Sequence, residues 1–181
     1  MRKILCGLAV VGSLLVAPVS ANAFAVTQDA AAEAPMMKAD AKDVGSVDGI
    51  MAAIYDVISG PIGEVRDWDR MRGLFIPGGR LIPNTPNGPI IFSVDDYIAR
   101  TDKAFTDNGF FEVELSRKSE RYGNIVHVFS TYAARRTPDG DVFARGINSF
   151  QLVYKDERWW IVNIFWQGET PDTPIPAEYL K

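Results

Sequence analysis

From Gly109 onward, apolar side chains recur at every second position through four consecutive segments, near 110–121, 124–136, 142–154 and 158–167. The connections, at Tyr122-Gly123, Pro138-Asp139-Gly140 and Asp156-Glu157, are too short to hold a helix. Strands joined this tightly run antiparallel, so this half of the chain is committed to a meander. Its last member, "RWWIVNIFWQ" from Arg158 to Gln167, is apolar on both faces and contains three of the four tryptophans. A strand open to water keeps one polar face, so both sides of this one need cover.

The cover on one side comes from the preceding segment. Ile50, Ile54, Val57 and Ile58 form a helical stripe that stops at Gly60-Pro61. A second helix is expected over Glu64–Phe75, with Val65, Trp68, Arg72 and Phe75 along one side. The turn-rich stretch "RLIPNTPNGPIIF" has room for two short strands, around Leu81 and Ile91. Ser93 then caps a third helix with Asp96 in its first turn, and Tyr97, Ile98, Thr101 and Phe105 form its buried stripe. The expected class is α+β: three N-terminal helices packed on one face of a curved antiparallel meander sheet.

The ends read differently. Arg2 and Lys3 precede an uncharged apolar run, Ile4–Val19, and the small-x-small sequences around Ala23. Residues 1–23 read as a cleaved secretory signal, too short for a membrane span of about 20 apolar residues. The mature protein is therefore expected in the periplasm or secreted, with no membrane association after cleavage. The lone Cys6 leaves with the signal, so no thiol or disulfide is expected. Without Arg2 and Lys3, the 19 basic side chains become 17 against 23 acidic ones, which argues against a nucleic-acid partner. Residues 24–45 read as a flexible tether, 46–170 as the folded domain, and 171–181 as an extended tail lying against it, anchored by Ile175, Tyr179 and Leu180.

In element order and in the stretches "DWDRMRGLF", "INSFQLVY" and "RWWIVNIFWQGE", residues 46–170 resemble the nuclear transport factor two-like superfamily, including the SnoaL-like cyclases and ketosteroid isomerases. The resemblance implies a cone-shaped pocket between helices and sheet, and commonly a dimer on the sheet's outer face. It also matches Tyr55 to the family's catalytic tyrosine and Asn148 to the acid of its oxyanion site. At the family's base position, near Ile82-Pro83-Asn84, this chain has no carboxylate.

Register follows from the turns. Alternation turns Phe111, Val113 and Leu115 inward and Glu112 and Glu114 outward. Pairing Arg121 with Asn124 sets Leu115 opposite Ser130. Pairing Thr137 with Asp141 sets Ser130 opposite Asn148, and a turn at Asp156-Glu157 sets Asn148 opposite Phe165. The expected inner face holds Val128, Ser130, Tyr132, Asn148, Phe150, Leu152, Trp159, Ile161, Asn163 and Phe165. Phe129, Ile147, Val153, Trp160, Val162, Ile164 and Trp166 fall on the outer face, a patch apolar enough to predict a homodimer.

The residues expected to contact a ligand are Tyr55, Trp68, Tyr132, Asn148, Phe150, Trp159, Asn163 and Phe165, with Tyr55, Asn148 and Asn163 equally readable as buried polar groups that satisfy one another. Candidates for moving a proton are Asp69, which also reads as a solvated first-turn acid, and His127, which the register places outside. One histidine and no retained cysteine make no metal constellation, and no cofactor is expected. The first functional reading is an exported domain that binds a small apolar or aromatic molecule without transforming it. The alternatives are an isomerase, cyclase or dehydratase acting on a small apolar carbonyl compound, and a dimeric assembly module without ligand.

Overall fold

The computed structural model describes residues 39–181. The expected signal and residues 24–38 of the expected tether lie outside the described residues.

The folded body starts before Ser46. Helix α1 (Ala41–Val44) is capped by Asp40, whose carboxylate accepts from the Lys42 amide, and it buries Val44 and Asp43. Asp43 is held by Arg70, with Nε at 2.7 Å. One aliphatic residue and an ion pair, invisible in an alanine-rich stretch, thus tie down the end of the expected tether.

Helix α2 (Val47–Ile58) begins at Ser46, whose hydroxyl accepts from the Gly49 amide, and buries the expected stripe together with Met51, Ala53 and Tyr55. Helix α3 (Trp68–Leu74) is shorter than expected because Asp67 caps it, accepting from the Arg70 amide. Val65 therefore lies in a loop and is exposed, while Arg66 is buried and ties that loop down by donating to the carbonyls of Ile58 and Gly60. Helix α4 (Val94–Asn108) has the expected cap, a reciprocal pair between Ser93 and Asp96. It ends at Gly109, where φ is 65° and a side chain would meet the Arg136 carbonyl.

The sheet has seven strands: β1 (Phe75–Thr85), β2 (Gly88–Pro89), β3 (Phe92–Ser93), β4 (Phe111–Tyr122), β5 (Ile125–Arg135), β6 (Val142–Lys155) and β7 (Arg158–Gly168). Their order is β2-β1-β7-β6-β5-β4, with β3 also on β1. The four long meander strands are antiparallel as expected, but β1 is a long strand parallel to β7, so the sheet is mixed. Pro77, Gly78 and Gly79 mask β1 in the sequence; there the ladder slips between Phe75 and Arg80.

Two bulges set which side chains face the helices. The first turn pairs Tyr122 with Ile125, a shift of two that preserves the faces, but a slip between Glu114 and Ser116 then reverses them. Glu114 pairs with Tyr132 and Glu112 with Ala134, so both glutamates turn inward, and Val113 and Leu115 are 41% and 44% exposed. The expected inward set of Phe111, Val113 and Leu115 is corrected accordingly. Between β5 and β6 the register is as expected, with Ser130 opposite Asn148 and Val128 opposite Phe150. In β7 the ladder slips at Val162, so Phe150 faces Ile164 and Asn148 faces Trp166. The expected inward Asn163 and Phe165 are thus outward, and the expected outward Ile164 and Trp166 are inward.

The last residues cross the outer face. The Tyr179 ring packs edge-on against Phe129 at 5.2 Å, its carbonyl accepts from Thr131 Oγ1 at 2.6 Å, and the Lys181 carbonyl accepts from Ser116 Oγ. Ile175 is half-buried, its amide held by Glu169, whereas Leu180 is exposed rather than an anchor. Among the described residues no helix is long and apolar enough to cross a membrane.

Candidate functional site

Between the helices and the inner face lies a cavity of about 280 Å³. Helix α2 contributes Ile54, Tyr55 and Ile58, α4 contributes Tyr97, Thr101 and Phe105, and the sheet contributes Glu112, Tyr132, Asn148, Phe150, Ile164 and Trp166, among others. The wall is mostly aromatic and aliphatic, and among the described residues Glu112 is its one charged member. The bulge at Leu115 puts it there.

Burial pushes the Glu112 carboxyl up to about 7, partly opposed by a hydrogen bond from Asn148 Nδ2 at 3.2 Å. The same Nδ2 donates to the Tyr55 hydroxyl at 3.1 Å. Tyr55 lies 2.7 Å from Ser130 Oγ, which donates to Glu114 Oε1 at 2.5 Å. Glu114 is in turn paired with Arg117 at 2.9 Å. The Tyr97 and Tyr132 hydroxyls stand outside this network. Burial first, and the Glu112 charge second, raise the pKa of both well above the usual tyrosine value, so both remain neutral donors.

Of the residues singled out in the sequence, Tyr55, Tyr132, Asn148 and Phe150 meet on the cavity wall. Trp68 packs in the core with Phe105 and donates its indole N–H to Asp102. Trp159 is on the inner face but sits beside Tyr154 and under Arg121, away from the cavity. Asn163 and Phe165 lie outside the cavity because of the β7 bulge. Asp69 is on the surface, paired with Arg72. His127 is on the outer face beside Ser149, its Nε2 3.1 Å from the hydroxyl. Neither residue can deliver a proton to the cavity.

Glu112 was hidden because strict alternation assigns it to solvent. One signal was present: the apolar series Phe111, Val113, Leu115 ends abruptly, and Ser116–Arg121 offers no apolar partner on either face. A strand that loses its alternation midway is where a bulge is expected. Among the described residues no group of three or more histidine, cysteine or acidic side chains could hold a metal ion.

No protein-family model and no curated protein sequence matches this chain. Solved structures do. A Nostoc punctiforme protein of unknown function with a cystatin-like fold superposes with a TM-score of 0.56 at 10% identity, over 72% of this chain and 92% of the other. A function-unknown protein from Mycobacterium tuberculosis gives 0.55 at 13% identity, over 74% and 85%. A candidate ketosteroid isomerase from Shewanella frigidimarina gives 0.50 at 12% identity, over 67% and 95%. At such identities the likeness is one of fold, and the chain has a cystatin-like α+β fold.

Proposed function

We propose that this domain binds a small, largely apolar carbonyl compound in the cone cavity and moves a proton on it, as an isomerase or dehydratase does, with Glu112 as the proton-carrying group. The observation that carries this reading is the position of Glu112 as the single charged residue, among the described residues, on a mostly apolar wall. A carboxyl raised to about 7 is both protonated and ionised in useful amounts near neutrality. The ionised form takes a proton from the carbon next to the carbonyl, and the acid so formed returns it to another atom of the same molecule. Tyr97 and Tyr132 donate to the oxygen on which negative charge develops. Asn148 orients the carboxylate, and Tyr55 holds Asn148. The cavity volume, near the lower end of the range of roughly 300–1,000 Å³ typical of ligand sites, favours a compact substrate. The basic-then-apolar N-terminus supports a place outside the cytoplasm.

A second reading, binding without turnover, is favoured by one observation: the hydrogens of Tyr55 and Asn148 that meet Ser130 and Glu112 are already committed within the protein. A panel of small unsaturated ketones and hydroxyketones, followed by ultraviolet absorbance with the native protein and Glu112→Gln, separates the two. Turnover that drops at least about 100-fold in the variant is the expected result. Equal turnover in both proteins rules out Glu112. Retention of a compound in native mass spectrometry without turnover selects the binding reading.

A further inference from the structure

We propose that Glu114, at the margin of the fold and outside the cavity, is a positioning residue that fixes the direction of the hydrogen-bond chain through Ser130, Tyr55 and Asn148 and so presents an amide N–H to Glu112. This inference rests on the reading of Glu112 as the proton-carrying group.

Direction follows from counting hydrogens. A carboxylate paired with a guanidinium accepts and cannot donate, and Glu114 has Arg117 on Oε2 and Ser130 on Oε1. Ser130 spends its one hydrogen there, so at 2.7 Å it can only accept from Tyr55. Tyr55 spends its own hydrogen on Ser130, so its oxygen accepts from Asn148. The Asn148 side chain must therefore turn its NH2 group, and not its carbonyl oxygen, towards both Tyr55 and Glu112.

The opposite polarity has the opposite effect at the far end. If the terminal group donates, Ser130 can point at Tyr55, Tyr55 at the Asn148 oxygen, and that oxygen then faces Glu112. An oxygen facing a carboxyl admits only the protonated acid. Asp56 of α2 and Glu114 and Arg117 of β4 line a second cleft with Glu112, and the titratable groups that face it across the cavity are Tyr55 of α2, Tyr97 of α4 and Tyr132 of β5. All three tyrosines stay neutral, burial being the largest cause in each case, so the amide is the element of its surroundings that can change sign.

The test is a carbon-13 titration of the side-chain carboxyls of the full mature chain without any ligand, with the Glu112 resonance assigned by its loss in Glu112→Gln. In Glu114→Gln and in Ser130→Ala the Glu112 midpoint should rise by about one pH unit, and Glu114→Asp should restore it. Removing a nearby negative charge by itself lowers that midpoint, so the sign separates the chain from simple electrostatics in Glu114→Gln. Ser130→Ala alters no charge and serves as the second variant. A midpoint unchanged or lowered in both variants overturns the proposal. Because no turnover is measured, an inactive protein with the expected shifts counts against the proton-transfer reading and leaves the positioning role standing.

Discussion

Asn148 and Glu112 meet at 3.2 Å across the inner face of the sheet, one from β6 and the other from β4, with no direct pairing between those strands. Their contact spans β5, and it exists because the bulge between Glu114 and Ser116 turns Glu112 inward. The amide offers the carboxylate a donor where burial would otherwise favour the neutral acid. Substituting Asn148 by Ala removes that donor, and the Glu112 midpoint should rise above about 7, which a carboxyl titration measures.

Stability should depend on pH through the same group. The folded carboxyl at about 7 lies above its value of 4.5 in the unfolded chain, so between those values the folded state holds a proton that the unfolded state has lost. Glu112 therefore weakens the fold progressively as pH rises through that window, towards a limit of roughly 3 kcal/mol. Glu112→Gln carries no such penalty. Its melting temperature relative to the native protein should climb from pH 5 to pH 8, and a constant difference across that window would falsify the buried-charge account.

Asp43 acts in the opposite direction. Arg70 holds its carboxyl below the usual carboxylate range, chiefly through the 2.7 Å hydrogen bond, so its contribution is present at neutral pH and lost as pH falls through that lowered value. Asp43→Ala should cost about 2–3 kcal/mol at pH 7, less than a fully enclosed pair because Arg70 is part-exposed and keeps Asp56. Chemical denaturation at pH 7 and pH 3 reads the difference, which should shrink at the lower pH. A chain beginning at Ser46 should lose at least as much, since it also lacks Val44.

The sequence made much of this legible. The Ser93–Asp96 cap, the α2 stripe and the Ser130–Asn148 register follow from local rules that the structure obeys. The losses trace to two bulges. Each adds one residue to one strand, and with a side-chain period of two that moves every residue beyond the bulge, counted from the adjoining turn, to the other face. At Leu115 the exchange turns Glu112 into the cavity, half-buried, and exposes Val113, a trade no hydrophobic pattern selects, since desolvating a carboxylate costs stability that the Asn148 contact and a raised midpoint offset. At Val162 both faces of β7 are apolar, so the pattern could not choose between Ile164 and Phe165. The parallel β1–β7 pair was beyond reach for another reason: local periodicity carries no information about which distant strand lies alongside.

The C-terminal tail determines how much of the outer face is open to a second copy. Tyr179 lies on Phe129 and hydrogen-bonds Thr131 through its carbonyl, and Lys118 sits 4.6 Å above the Tyr179 ring. Beside this contact, Val162 and Phe165 stay 37% and 42% exposed. The tail thus covers part of the outer face on β4 and β5 and leaves Val162 and Phe165 of β7 open. Deleting residues 171–181 should expose Phe129 and Ile147 and join them to Val162 and Phe165 in one apolar surface. The shortened chain should show a higher association state than the intact one by light scattering at equal concentration. Tyr179→Ala should shift it partway and lower stability by about 1–2 kcal/mol. Identical masses for intact and shortened chains would mean that the tail does not compete with self-association through this face.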